Sequence, residues 1–234
     1  MAKMTEPEQE PEQRSGPGAG GRTPRERYRA QVRAEIKGHA WEQIATAGAS
    51  ALSLNAIAKR MGMSGPALYR YFASRDELIT ELIRDAYRGL ADTLGAAAGS
   101  GADVAGLAQA IRGWALEDPQ RYLLIYGTPV PGYHAPDDIT GIARGIMATL
   151  LDAYAALPAG EERTPFERSF ESYLAEHRQW AGDHPAEPPA LRRALAGWTR
   201  IHGVLSLELS GHFAGMGIDP AQLFAAELDA LLTG

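Results

Sequence analysis

A chain of 234 residues with 45% apolar and 22% charged side chains has a globular balance, and without a cysteine it has no disulfide framework, thiol nucleophile or thiolate metal site. No stretch approaches the ~20 consecutive apolar residues of a membrane span. The start, Met1-Ala2-Lys3-Met4-Thr5-Glu6-Pro7, lacks the apolar run of a secretory signal, so a soluble cytoplasmic protein is expected. Net charge is −6, yet residues 22–75 hold ten basic side chains (Arg22, Arg25, Arg27, Arg29, Arg33, Lys37, Lys59, Arg60, Arg70, Arg75) against Glu26, Glu35 and Glu42. The remainder holds 13 basic and 26 acidic residues, so the local field of one segment favours a polyanion although the sum does not.

Residues 1–21 are rich in Glu, Pro, Gln and Gly and are expected to form a disordered tail. From Arg25, the spacing of Tyr28, Val32, Ile36, Ala40, Ile44 and Ala47 predicts a helix ended by Gly48. Ser53 is placed to cap a short helix with Leu54, Ile57, Ala58 and Met61, which Gly62 breaks. Ser64 opens another short helix, with Pro66 in its first turn and Leu68 and Phe72 on one face. Ser74-Arg75-Asp76-Glu77 reads as a capping box for a longer helix carrying Leu78, Leu82, Ile83, Ala86 and Leu90. The small residues of 95–101 read as a joint. Helices are then expected over 103–117, 119–126, 137–156, 166–181, 191 to about 214, and from Asp219-Pro220 onward. Pro129, Pro131 and Pro136 exclude regular structure from 127–136, and 183–189 is a Pro-rich break. No segment alternates with period two for long enough to be a strand, so the fold is expected to be all-α, with about nine or ten helices.

The two short helices joined by Met61-Gly62-Met63-Ser64, with the helix before them, read as a helix-turn-helix. Ile57, Ala58, Met61, Leu68 and Phe72 supply its small core, and Met63 plugs the turn. Gly65, Pro66, Ala67, Tyr69, Arg70 and Tyr71 are left on the outer side, where hydroxyls and a guanidinium beside small residues suit a phosphate-lined groove. The helix N-termini at Ser53 and Ser64 offer further backbone N–H groups to phosphates.

The run from Ser53 to Leu78, with its Ile-Ala…Gly…Leu-Tyr-x-x-Phe…Leu order, resembles the DNA-binding domain of the TetR/AcrR family of bacterial transcriptional regulators, over residues 25–82. The resemblance implies a homodimeric, all-helical repressor on a palindromic operator, released by a small-molecule effector. By position, it implies that Tyr69, Arg70 and Tyr71 meet DNA, and that Pro66 and Ala67 meet base edges or thymine methyls. Arg75, Ser53 and Asn55 would bind phosphate, and Arg22, Arg25 and Arg29 would reach a flanking groove. Gly65 stands where many members carry a longer polar side chain, which shifts readout toward Arg70, Asn55 or DNA shape. Residues 22–75 then form the DNA-binding domain, 76–98 a connecting helix and 99–234 a ligand-binding and dimerisation domain. Trp198-Thr199-Arg200-Ile201-His202-Gly203, with Asp118-Pro119…Tyr122…Tyr126-Gly127 upstream, resembles the Trp-His-Gly type of C-terminal domain in this family.

Aromatic residues and histidines concentrate in that half, suiting a cavity between helices; Trp114, Tyr122, Tyr126, Met147, Phe170, His177 and His202 are the expected lining. The last two helices carry more apolar residues than one face buries. Leu205, Leu209, Phe213, Phe224, Leu228 and Leu231 are therefore expected at a dimer interface, with Gly203 and Gly211 permitting close approach. An enzyme is not expected. His177 and His184 straddle a break at Gly182, Asp137-Asp138 and Glu161-Glu162 sit at helix caps, and there is no phosphate loop or nucleophile elbow. No metal or cofactor is expected. The alternative is a helical adaptor whose basic patch binds an acidic protein.

Overall fold

The computed structural model describes residues 23–127, 133–158 and 163–233. The expected tail at 1–21, with Arg22, Pro129, Pro131 and Glu161-Glu162, lies outside the described residues. Within them the chain forms ten α-helices and two 3-10 turns, with no strand. The helices are α1 (Pro24–Ala47), α2 (Leu54–Arg60), α3 (Gly65–Tyr69), α4 (Arg75–Gly99), α5 (Val104–Glu117), α6 (Pro119–Tyr126), α7 (Asp137–Ala155), α8 (Pro165–Glu176), α9 (Pro188–Leu209) and α10 (Pro220–Thr233). The 3-10 turns are Ala49–Ala51 and Gln179–Ala181.

Local chemistry accounts for the boundaries. Helix α1 opens on a reciprocal capping box: the Glu26 N–H donates to the Thr23 hydroxyl at 3.3 Å, and the Thr23 N–H donates to the Glu26 carboxylate at 2.7 Å. Val32, Ile36, Ala40 and Ile44 are buried, whereas Tyr28 and Ala47, at the same spacing, stay exposed near the two ends of α1. At α4 the Ser74 hydroxyl accepts from the Glu77 N–H at 3.0 Å, but the Glu77 carboxylate accepts from Ala73, one residue before the position a full box requires.

Three expected boundaries move. The joint at 95–101 shrinks to its end, because α4 runs through Gly95 and Gly99 before turning at Ser100-Gly101. The helix expected over 166–181 stops at Glu176. There the His177 ring nitrogen Nδ1 donates to the Tyr173 carbonyl at 2.9 Å, alongside the backbone N–H of His177 at 3.0 Å. Helix α9 ends at Leu209 rather than near 214. Gly211 takes φ +76°, and the Gly211 and His212 N–H groups donate to the Glu208 and Leu207 carbonyls, a Schellman closure. Gly211 therefore terminates a helix rather than admitting a neighbour.

Two cores meet along α4. Its first half gives Leu78, Ile79, Leu82 and Ile83 to an N-terminal core built on Val32, Ile36, Ile57, Leu68 and Phe72, which also takes Leu124 of α6 and Ile139 of α7. Its second half gives Ala86, Leu90 and Leu94 to a C-terminal core with α5, α6, α7, α9 and α10. The connecting helix is thus a shared wall. A third, outer core packs α8 and the Gln179–Ala181 turn on α7 and α9. The Tyr154 ring of α7 lies over Gly197 of α9: a Cβ there would fall 1.7 Å from its hydroxyl, so any side chain at 197 would displace the ring.

Candidate nucleic-acid interface and ligand cavity

Helix α2 ends in a second Schellman closure. The Gly62 N–H, at φ +65°, donates to the Lys59 carbonyl at 3.2 Å, and the Met63 N–H donates to the Ala58 carbonyl at 2.9 Å. The reversal brings Ile57 and Ala58 against Leu68 and Phe72, with Met61 and Met63 beside them. That burial turns the other side of α3 outward. Pro66, Tyr69 and Arg70 are exposed, with Tyr69 45% accessible, and Gly65 and Ala67 are half-exposed. Asn55 is exposed beside α3: a Cβ added at Gly65 would lie 3.8 Å from its Oδ1, an ordinary contact. Ser53 caps α2 by accepting from the Ala56 N–H at 3.3 Å, while the Ser64 hydroxyl makes no capping bond at α3.

The basic side chains divide into two sets. Arg25, Arg27, Lys59 and Arg70 are exposed and make no ion pair or side-chain hydrogen bond among the described residues. The others are engaged. Arg60 meets Glu42 at 2.7 Å, Lys37 meets Asp85 at 2.5 Å, and Arg33 meets Glu77 at 3.9 Å and Glu81 at 3.5 Å. Glu77, Glu81 and Asp85 lie just past residue 75, so the charge of 22–75 overstates what faces outward. Arg29 donates to the Arg70 carbonyl at 3.3 Å, and Arg33 donates to the Tyr71 carbonyl while stacking 4.1 Å over Phe72. These two α1 arginines hold the C-terminal end of α3. Tyr71 is half-buried against the core, the least available of the three expected contacts.

Arg75, expected at a phosphate, is tied to the fold by backbone carbonyls. Its guanidinium donates to the carbonyls of Ala49 at 2.8 Å, Ser50 at 3.1 Å and Leu52 at 3.2 Å, with Asp76 3.6 Å away. It clamps the α1–α2 connection to the start of α4 through Nε and Nη2, leaving Nη1 beside Asp76.

Tyr87, Tyr126, Thr140, Ala143, Arg144, Met147, Gln179, Trp180 and Trp198 surround a cavity of about 420 Å³ between α4, α6, α7, α9 and the second 3-10 turn. Of the expected lining, Tyr126 and Met147 are there. Trp114 and Tyr122 are buried in the C-terminal core instead, and Phe170 and His177 join an aromatic stack with Phe166 and Tyr173 along α8. His202 stands behind the wall, its ring 4.3 Å from Tyr126 and 3.9 Å from Trp198. Its Nδ1 lies 3.0 Å from the Tyr122 hydroxyl, which also donates to the His202 carbonyl at 3.2 Å and meets the Ser206 hydroxyl at 2.9 Å. Burial pushes the His202 pKa down to about 4, so the imidazole is neutral at pH 7. Burial likewise pushes the Tyr126 hydroxyl well above the usual phenol range.

The sequence reading missed Tyr87, Thr140, Ala143, Arg144, Gln179, Trp180 and Trp198 as lining residues. Trp180 and Trp198 carried an aromatic signal; Tyr87 and Arg144 carried none, sitting on helices read from their apolar stripes alone.

The expected dimer residues also move. Leu205, Phe213, Phe224 and Leu228 are buried within the chain, because α9 and α10 spend their apolar faces on each other and on the core. Leu209 and Leu231 are half-buried. Gly203 and Leu207 of α9, Met216 and Ile218 of the connection, and Leu232 of α10 are exposed.

Comparison with known proteins follows this division. A profile described as bacterial regulatory proteins, tetR family, matches residues 38–82, and one described as tetracyclin repressor-like, C-terminal domain, matches residues 104–231. The HTH-type transcriptional regulator Rv1816 of Mycobacterium tuberculosis is 39% identical over 220 residues, spanning 87% of this chain and 92% of its own. The HTH-type transcriptional regulator Mb1846 of Mycobacterium bovis gives the same figures, 39% over 220 residues, 87% and 92%. A solved structure described as the regulatory protein SCO4313 is 70% identical, covers 91% of this chain and 100% of its own, and superposes with a TM-score of 0.82. The C-terminal profile describes that domain as a whole and does not speak to the narrower Trp-His-Gly likeness at Trp198, His202 and Gly203.

Proposed function

The chain belongs to the TetR family and is a transcriptional regulator with a DNA-binding helix-turn-helix, not an enzyme, and from that premise we propose that it works as a homodimeric repressor released by a small molecule. The observation that carries the reading is the seating of α3. Leu68 and Phe72 are fully buried beneath it, and Pro66, Tyr69 and Arg70 stand free above it. A five-residue helix held this way enters a major groove with its first residues toward base edges and its tyrosine and arginine toward phosphates. Ser53, Asn55, Ser64, Gly65 and Ala67 border the same surface, and Arg25, one turn before Arg29 on α1, reaches an adjoining stretch of backbone.

Two copies joined through the outer face of α9 and α10, around Gly203 and Leu207, would form an isologous four-helix contact. Their recognition helices would then sit on half-sites about one DNA turn, ~34–36 Å, apart or a multiple of it. An operator target places the protein in the cytoplasm; no helix of the described residues is long and apolar enough to cross a membrane. The cavity beside α6 and α7 is the effector site of this scheme. The adaptor alternative loses its footing, since the basic segment is a helix-turn-helix of a regulator family.

The test is a footprint on the DNA upstream of the protein's own gene, repeated across salt, with Tyr69→Ala as control. A palindromic protected site that weakens with salt and disappears in the variant supports the reading. Uniform, sequence-indifferent binding to genomic fragments would overturn it.

A further inference from the structure

From the cavity we infer that the effector is a planar aromatic monocarboxylate, an inference that rests on the effector reading of that site and names its ligand class. Three observations lead there. The walls are aromatic and mutually angled: Tyr87 lies edge-on to Tyr126 at 6.1 Å and 75°, and Tyr126 edge-on to Trp198 at 5.5 Å and 75°, with Trp180, Met147 and Ala143 completing the apolar surface. Such rings gain most from a flat apolar body that meets both faces and edges. The volume, about 420 Å³, falls within the range of drug-sized sites.

The polar lining is the second observation. Arg144 and the two indoles of Trp180 and Trp198 can only donate, whereas Tyr87, Tyr126, Thr140 and Gln179 can also accept. No aspartate or glutamate among the described residues lines the cavity. Among the described residues, none of these seven side chains makes an intraprotein hydrogen bond or ion pair, so their capacity is unspent. The third observation is Arg144 itself, the one charged group of the lining among the described residues, exposed on α7 one turn beyond Thr140. A single guanidinium presents a fork that fits a carboxylate through two parallel bonds.

The competing classes fit less well. A cationic ligand would gain from the aromatic faces but meet Arg144 with no acid to offset it. A phosphate dianion would need more than one cation. A neutral polar ligand would have to cover the walls of Tyr, Trp and Met. His202, packed behind the wall against Tyr126 and Trp198, carries no charge near neutral pH, so it adds neither an attraction nor a counter-ion.

Isothermal titration of the full-length protein with 2-naphthoate, 2-naphthamide and 2-naphthylmethylammonium tests the class. The three probes share one ring system and differ in charge. Naphthoate is expected to bind at least ~10-fold more tightly than the amide, with the ammonium weakest. Arg144→Gln, an exposed substitution on a helix surface, should erase the preference by weakening the acid ~10-fold while leaving the amide unchanged. Arg144→Lys should restore part of it. Trp180→Ala should weaken all three. Equal affinity for acid and amide, tighter binding of the ammonium, an unaltered preference in Arg144→Gln, or no binding of any probe would each overturn the assignment. Operator release is read separately: naphthoate that binds with the expected preference but leaves the footprint intact overturns the effector role while the ligand class stands.

Discussion

The Arg84 guanidinium of α4 holds the Asp138 carboxylate of α7 with two bonds, Nε to Oδ2 at 2.6 Å and Nη2 to Oδ1 at 3.3 Å. The same guanidinium pairs with Glu81, whose other oxygen faces Arg33, and Arg33 donates to the Tyr71 carbonyl at the end of α3. A line of alternating charges therefore joins the recognition helix to the first turn of α7, the helix that gives Thr140, Ala143, Arg144 and Met147 to the cavity. Arg84 also holds the Asp138 carboxyl below the usual carboxylate range, so the pair persists in mildly acidic solution.

Asp138→Asn should cut this line without touching either site. Operator affinity and naphthoate affinity should each stay within about two-fold, while the coupling between them falls by roughly 1 kcal/mol. Operator titrations with and without naphthoate measure the difference; an unchanged coupling would show that the signal travels elsewhere.

Arg75 and Arg70 should part company. Arg75→Gln removes three bonds to the Ala49–Leu52 segment and should lower unfolding stability by about 1–3 kcal/mol. Its operator affinity should keep the same slope against salt. Arg70→Gln should leave stability alone and reduce that slope by about 1. Denaturant melts and salt titrations of both variants decide; a salt slope lowered in Arg75→Gln would return that residue to the phosphate contacts.

Tyr69→Ala should abolish the specific footprint at a stability cost within about 0.5 kcal/mol, because the side chain is 45% exposed. Leu68→Ala, one position earlier and fully buried, should cost about 2–5 kcal/mol. Comparable destabilisation by the two would mean that Tyr69 covers the fold rather than reads DNA.

His202 gives the stability a pH dependence of known sign. Its folded pKa of about 4 lies below the unfolded value of 6.5, so between them the unfolded chain binds the extra proton. The contribution is complete above pH 6.5 and is lost as pH falls toward 4, by about 3 kcal/mol at full extent. The difference in unfolding free energy between the wild type and His202→Gln, followed over that window, should narrow on acidification. A constant difference would place the imidazole in contact with water.

Leu207→Arg should yield a monomer by sedimentation at micromolar concentration, with the footprint lost at the same concentrations. The side chain is 45% exposed on the outer face of α9, so the monomer should remain folded. A dimer that survives this substitution would move the interface off α9.

The helix-turn-helix was legible because its signals are local. Ser53, Gly62 and Ser74 mark ends within a turn of themselves, and Ile57, Ala58, Leu68 and Phe72 share one buried side at helical spacing. The cavity was not, because its lining is assembled from five separate elements, and a residue such as Arg144 differs from an ordinary solvated arginine only through what surrounds it. The apolar excess of the last two helices was read correctly as a packing demand but assigned outward; Leu205, Phe224 and Leu228 meet it within the chain. Arg75 shows the same limit: carbonyl acceptors 23–26 residues away in sequence leave no trace in composition.

The way α3 is mounted bears on how such regulators diverge. Its five residues are fixed from beneath by Leu68 and Phe72 and from the side by Arg29 and Arg33, while Pro66 and Tyr69 are exposed. In the proposed reading, substitutions at these exposed positions change the base contacts while the buried seat of α3 is kept. After a gene duplication, a copy can drift from one operator to a neighbouring sequence through intermediates that all fold, with its cavity unaltered. In the proposed scheme, a new target and a new signal are reached through separate sets of side chains, those exposed on α3 and those lining the cavity.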